Sequence, residues 1–194
     1  MTEQSPLRIA ILMGSTRNGR FCPTITGWFG EQAEQYGDLA VDVIDLNEVA
    51  LPDTLIDDND PIPPQVEALS ARIHAADAFV VITPEYNHSF PAPLKTAIDW
   101  FYAEWQAKPV GFVSYGGMSG GLRAVEQLRL VFAEVHAMTV RDGVSFHNYP
   151  DQFDEQGQPK DRVGVNGAAK AMLDQLCWWA RALRTARAAH PYTG

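Results

Sequence analysis

The sequence is short of the features that mark several classes of protein. Its 194 residues hold only two cysteines, Cys22 and Cys177, far apart and without CxxC spacing, which excludes a disulfide-stapled scaffold and fits a reducing compartment. Positive charge is scarce. Fifteen Lys and Arg stand against 24 Asp and Glu, a net charge of −9, so the basic footprint of a nucleic-acid partner is missing. No apolar run approaches membrane-spanning length, and the opening "MTEQSPLRIAILMG" starts acidic, with too short an apolar run for a signal peptide. The five histidines, His74, His88, His136, His147 and His190, lack ligand spacing, so no metal site is expected. The expectation is a cytoplasmic protein with neither nucleic acid nor membrane as partner.

What is present points to one soluble domain over residues 1–194. Hydrophobic residues make up 46% and charged residues 20%, enough to build a sizeable core. Short apolar or β-branched runs over 8–13, 40–44, 78–83, 110–114 and 138–140, the last extending toward Val144, read as strands. Stretches of helical period fill 24–36, 65–75, 93–101, 122–136 and 167–188. This alternation predicts a parallel α/β sheet, and "AFVVIT" is almost continuously apolar, as a strand buried on both faces must be. Two long irregular segments remain, 47–63 and 147–162; loops of this length more often cover a site or a neighbouring subunit.

The segment "GSTRNGR", Gly14 to Arg20, joins the first strand to the first helix, where helix amides and dipole favour an anion. Gly14 and Gly19 have P-loop spacing, but Arg20 and Phe21 follow where Lys and Ser/Thr belong, which disfavours a nucleoside triphosphate. The second glycine of a dinucleotide fingerprint is absent, which disfavours a Rossmann dehydrogenase. Ser15, Thr16, Arg17 and Arg20 suit the dianionic end of a phosphomonoester, the tail of flavin mononucleotide (FMN). A polar surface turn with two solvated arginines is the plainer alternative.

After the third strand comes "PEYNHS", residues 84–89, and after the fourth "SYGGMSGG", residues 114–121. In a doubly wound sheet of order 2-1-3-4-5 these loops converge with the first on one crevice. A planar ring needs amide donors at its polar edge, which Tyr86 and Asn87 can supply, and close backbone approach, which Gly116 and Gly117 permit.

"GSTR", "PEYNHSFPAPLKTAIDW" and "EWQAKPVGFVSYGGMSGG", with "DLNEVALPD" after the second strand, together resemble the NADPH-dependent FMN reductase family. The resemblance runs from about Leu7 to Val140. It implies a flavodoxin-like three-layer α/β/α sandwich with a five-stranded parallel sheet in order 2-1-3-4-5. Ser15, Arg17 and Arg20, with the backbone of Phe21 and Cys22, would hold the FMN phosphate. Pro84, Glu85, Tyr86 and Asn87 would border the isoalloxazine and ribityl chain, and Ser114, Gly116 and Gly117 the other ring edge. Arg20 and Cys22 depart from the commoner family pattern of a serine and a polar residue.

The resemblance further implies ping-pong chemistry, with NADPH or NADH as reductant and a quinone, flavin, azo compound or metal oxyanion as small-molecule acceptor. No side-chain nucleophile and no metal are required. His88 could donate a proton, although a loop histidine beside a cofactor more often shapes the site. The cluster Trp100, Phe101, Tyr102 and Trp105 is either core or a subunit contact, the latter giving a homodimer or homotetramer. The rival reading is a flavodoxin-type electron carrier, which the acidic charge fits and the two loop arginines oppose.

Overall fold

The computed structural model describes residues 5–57 and 59–193. In chain order they form β1 (Leu7–Met13), α1 (Cys22–Tyr36), β2 (Leu39–Asp45), the single turn α2 (Leu46–Val49), α3 (Pro64–Ala75), β3 (Ala78–Pro84), α4 (Ala92–Asp99), β4 (Pro109–Gly116), α5 (Leu122–Glu134), β5 (Met138–His147), a 3₁₀ turn (Tyr149–Gln152) and α6 (Arg162–Ala189). The sheet is all parallel, in order β2-β1-β3-β4-β5. The flavodoxin-like arrangement expected from the sequence is the one observed.

The layers follow from side-chain alternation along strands buried on both faces. Ile9 and Ile11 of β1 and Val80 and Ile82 of β3 pack with Trp28, Phe29, Leu173 and Leu176 of α1 and α6. Ala10, Leu12, Phe79 and Val81 point the other way, onto Leu69, Leu94, Ile98, Leu128 and Phe132 of α3, α4 and α5. Both cores stop at the carboxyl ends of the strands. The polar loops there are left to build a site.

Three expectations are corrected. First, β5 reaches His147 because a bulge opposite the Val110–Phe112 step restores its pairing with β4. Arg129 and Gln175 bond the backbone of residues 140–142 around this irregularity, shielding an open edge. Second, α6 starts five residues before the predicted 167, since the Asp161 carboxylate accepts from the Gly164 amide and caps a turn whose glycines give no periodic signal. Third, the aromatic cluster divides. Phe101 and Trp105 are buried, with Trp105 edge-on to Phe79 and Phe132, while Trp100 is half-buried and donates to Pro52 O and Tyr102 is exposed.

Candidate active site

The loops after β1, β3 and β4 meet above the sheet, and the chain after β5 closes a fourth side. They enclose a cleft of about 210 Å³, lined by Arg17, Gly19, Arg20, Phe21, Pro84, Glu85, Tyr86, Tyr115, Gly116, Gly117 and Tyr149. Of the residues expected here, Arg17, Arg20, Phe21, Pro84, Glu85, Tyr86, Gly116 and Gly117 line the cleft. Ser15, Cys22 and Ser114 lie buried outside that lining, and Asn87 is exposed on the turn beside it. A larger, open groove of about 880 Å³ runs between α1 and α6. It lies on the flank, away from the strand ends where such sheets hold ligands.

The first loop is tied down from below. Gly14 N donates to Ile82 O (2.9 Å), and a Cβ on Gly14 would come within 3.1 Å of that oxygen, so glycine lets the chain leave β1 this close to β3 without pushing the strands apart. The Ser15 hydroxyl bonds the Tyr86 hydroxyl (2.8 Å), coupling the first loop to the second. Among the described residues, no protein acceptor takes the amides of Thr16, Arg17, Asn18 or Phe21, which stand just ahead of α1.

Arg20 is committed elsewhere. Its Nη1 donates to Ser15 O (2.7 Å) and Asp45 Oδ1 (2.6 Å), and Nη2 to Asp45 Oδ2 (2.5 Å), which leaves two of five guanidinium N–H groups. Arg17 is exposed and is the open cation of the pair. Burial pushes the Asp45 carboxyl up, but the Arg20 hydrogen bonds, the Asn47 amide and the Arg20 charge outweigh it and hold the group below its ordinary 3.8. A carboxylate depressed in the folded state adds stability above its unfolded value and loses it as the pH falls through the folded one. Asp45→Ala is therefore expected to cost about 2 kcal/mol at pH 7. In urea titrations at several pH values, the gap between wild type and variant should close below about pH 4.

The second loop is a tight turn. Tyr86 and Ser89 exchange both backbone hydrogen bonds (2.8 and 3.0 Å), and the residues between them, Asn87 and His88, have φ of 49° and 73°. Two left-handed central residues define a type I′ turn. Without a glycine it leaves no signature in the sequence. At the edge of the cleft the Glu85 carboxylate is tied to the start of α5, accepting from Arg123 N (3.1 Å) and Arg123 Nη1 (3.2 Å). Burial raises its carboxyl, and the bonds from Ser119 and Arg123 outweigh this and hold it below the usual range.

In the third loop a Cβ on Gly116 would meet Gly121 N at 3.0 Å, and Gly120 and Gly121 are tighter still. Gly121 has φ of 86°, and a Cβ there would lie 2.7 Å from Ser114 Cβ and 2.8 Å from Tyr115 N. Gly120 (φ 61°) is pressed against Ser145 and His147. A Cβ at Gly117 meets no atom within 4 Å. The hydroxyls of Ser114 and Ser145 both donate to Gly120 O (2.9 Å each), so Ser114 braces the loop from inside.

Sequence reasoning missed Tyr115 and Tyr149. The Tyr149 ring lies 5.0 Å from Phe21 and 5.2 Å from Tyr115, and Phe21 also packs on Phe153 at 5.0 Å. These rings wall one side of the cleft. The available signal was the length of segment 147–162, which folds as the 3₁₀ turn and a short bridge, Phe153 to Pro159. Burial pushes the Tyr115 hydroxyl far above the tyrosine range and the Cys22 thiol up as well, so both keep their protons at neutral pH. Lys108, lowered to about 8 by burial, sits at the opposite end of β4, bonding the carbonyls of Ile73 and His74; it closes α3 and plays no part in the cleft. Among the described residues no cluster of His, Cys, Asp or Glu could hold a metal, and no helix is long and apolar enough to cross a membrane.

Comparison with known proteins places this geometry. Residues 7–151 match the NADPH-dependent FMN reductase family. An NADPH:quinone oxidoreductase of Arabidopsis thaliana is 33% identical over 181 residues, spanning 89% of this chain and 92% of that one. Two yeast proteins named NAD(P)H-dependent FMN reductase match shorter stretches. The one from Schizosaccharomyces pombe is 37% identical over 59% of this chain and 60% of its own length; the one from Saccharomyces cerevisiae is 38% identical over 64% and 73%. Among solved structures, the flavoenzyme NAD(P)H:(acceptor) oxidoreductase of Paracoccus denitrificans superposes with a TM-score of 0.72 at 24% identity, covering 89% of this chain and 98% of that chain. The family match over residues 7–151, which hold all five strands and the three loops, establishes that the chain belongs to the NADPH-dependent FMN reductases, oxidoreductases that use FMN and NAD(P)H.

Proposed function

We propose that this chain holds FMN in the cleft and passes two electrons from NADPH or NADH to a small-molecule acceptor in ping-pong fashion. The observation that carries the reading is the convergence of unpartnered amides and an open arginine on one side of the cleft with a strained turn and a glycine-bearing backbone on the other. The donor set fits the cofactor. The amides of residues 16–18 and 21, with Arg17, suit a phosphate at the start of α1. The Asn87 and His88 amides suit the polar edge of a flavin ring, and open space at Gly117 suits close approach. Roughly 210 Å³ is below the 300–1,000 Å³ usual for ligand pockets, so a ligand here keeps a face open for a second molecule to meet.

When bound, FMN supplies the two-electron chemistry shared by the two half-reactions. The protein binds and orients. Arg20, neutralised by Asp45, holds the first loop in shape and presents its remaining N–H groups to the tail. Ser15 links that loop to Tyr86, and Tyr115 and Tyr149 keep water from the wall they form. Protonated Tyr115 and Cys22 provide no anionic nucleophile, in keeping with a platform. The His88 ring is exposed on the turn tip, where shaping the site is its simplest role.

Quinones, flavins, azo compounds and metal oxyanions are the acceptor classes proposed, in a cytoplasmic setting. A homodimer or homotetramer is supported by Met118 and Leu122, 84% and 49% exposed beside the cleft. A single species of 21.4 kDa in light scattering would remove the oligomer. Purified protein is expected to be yellow with FMN and to bleach anaerobically on adding NADPH or NADH, with an acceptor restoring the colour. Bound FMN that neither nucleotide reduces would overturn the enzyme and leave the electron carrier.

A further inference from the structure

The turn at residues 86–89 holds two consecutive non-glycine residues in the left-handed region, a conformation that relaxes unless its surroundings impose it. The backbone pair of Tyr86 and Ser89 closes the turn, and the side-chain grip on it comes from α5. The Ser89 hydroxyl donates to Gln127 Oε1 (2.5 Å), and Gln127 Nε2 donates to His88 O (2.8 Å). One side-chain amide thus grips the turn through a donor and an acceptor at adjacent residues. It fixes the peptide plane after His88 and, through it, the direction of the two tip amides. Gln127 itself does not line the cleft. No other side chain among the described residues bonds residues 87–89.

We propose that Gln127 is a positioning residue of the flavin site, setting through the 86–89 turn both the grip on FMN and its potential. The inference rests on the flavin reading, and it concerns a residue that acts only through the turn. Gln127→Ala removes both bonds. Gln127→Glu keeps an acceptor for Ser89 and loses the donor to His88 O. The half-buried position on a helix surface allows either variant to fold.

The test has three readouts. In cofactor-free protein, amide hydrogen exchange across residues 85–90 should quicken in Gln127→Ala while α5 keeps its protection and Tm is unchanged. FMN titrated by fluorescence quenching should bind about tenfold more weakly, the equilibrium equivalent of one good hydrogen bond. If the weakening falls on one oxidation state alone, the two-electron midpoint potential moves by about 30 mV. Gln127→Glu should fall between wild type and Gln127→Ala. Unchanged exchange, unchanged affinity or an unmoved potential would overturn the proposal. Wild-type protein that binds no FMN defeats the flavin reading and this inference together, whereas tight wild-type binding that Gln127→Ala leaves intact defeats the inference alone.

Discussion

Gly121→Ala is expected to abolish the cleft. The new Cβ would lie 2.7 Å from Ser114 Cβ and 2.8 Å from Tyr115 N, distances that real Cβ contacts do not reach, and both neighbours belong to β4, the central support of the site. The φ of 86° adds strain that an L side chain resists. Neither side can yield cheaply. Relief requires the chain from Gly117 to Gly121 to lift off β4, which breaks the Ser114 and Ser145 bonds to Gly120 O and misaims the start of α5, where Arg123 meets Glu85. The expected loss is about 3 kcal/mol of stability, with FMN affinity reduced by at least about a hundredfold. Gly117→Ala is the control, since its Cβ meets nothing and stability should stay within about 0.5 kcal/mol of wild type. Urea denaturation and FMN titration of both variants check this. Equal behaviour of the two would show that the Gly121 backbone has room to adapt.

Trp105→Ala is expected to produce the largest loss of stability without loss of the site. Trp105 is fully buried, its ring centroid 4.7 Å from Phe79 and 5.6 Å from Phe132, and its Nε1 donates to Ile98 O (3.2 Å). Removing the indole leaves a cavity under three elements, a cost of about 4 kcal/mol, while Ile98 O keeps the Phe101 amide (3.3 Å). For a chain of this length that lowers Tm by about 12 °C. The cavity lies on the α3, α4 and α5 side of the sheet, away from the cleft, so FMN affinity at 25 °C should change by less than about threefold. Were Trp105 a subunit contact, the variant would instead change the oligomer with little change in monomer stability. Thermal unfolding and light scattering separate the two results.

These expectations draw unequally on what the sequence announced. The strands were legible because each is a short run with its own period, and a strand buried on both faces, such as 78–83, needs no context to be recognised. The first loop was legible as a strand-to-helix turn of the kind that can take an anion because Gly14 and Arg17 follow a strand and precede a helix. The role of Arg20 was not. Its partner, Asp45, ends the neighbouring strand, and only the β1–β2 register, Met13 opposite Asp45, brings the two together. The glycines of "SYGGMSGG" look equivalent in sequence, yet only 120 and 121 are held at positive φ, because α5 must start against β4.

The sequence by itself determined the layered α/β architecture and the strand ends at which the polar loops gather, since each depends on residue periodicity or on a motif within a few positions. The tertiary structure alone decided which atoms remain free to bind. The charge of Arg20 is met by Asp45, the hydroxyls of Ser15 and Ser114 are turned to bracing, and the cleft wall is completed by Tyr149. The turn at Asn87 is held by Gln127, 38 residues from Ser89. The physical reason is that a hydrogen bond or an ion pair is satisfied by whatever packing brings within about 3 Å, and that distance is set by the sheet and its helices rather than by neighbours in the chain.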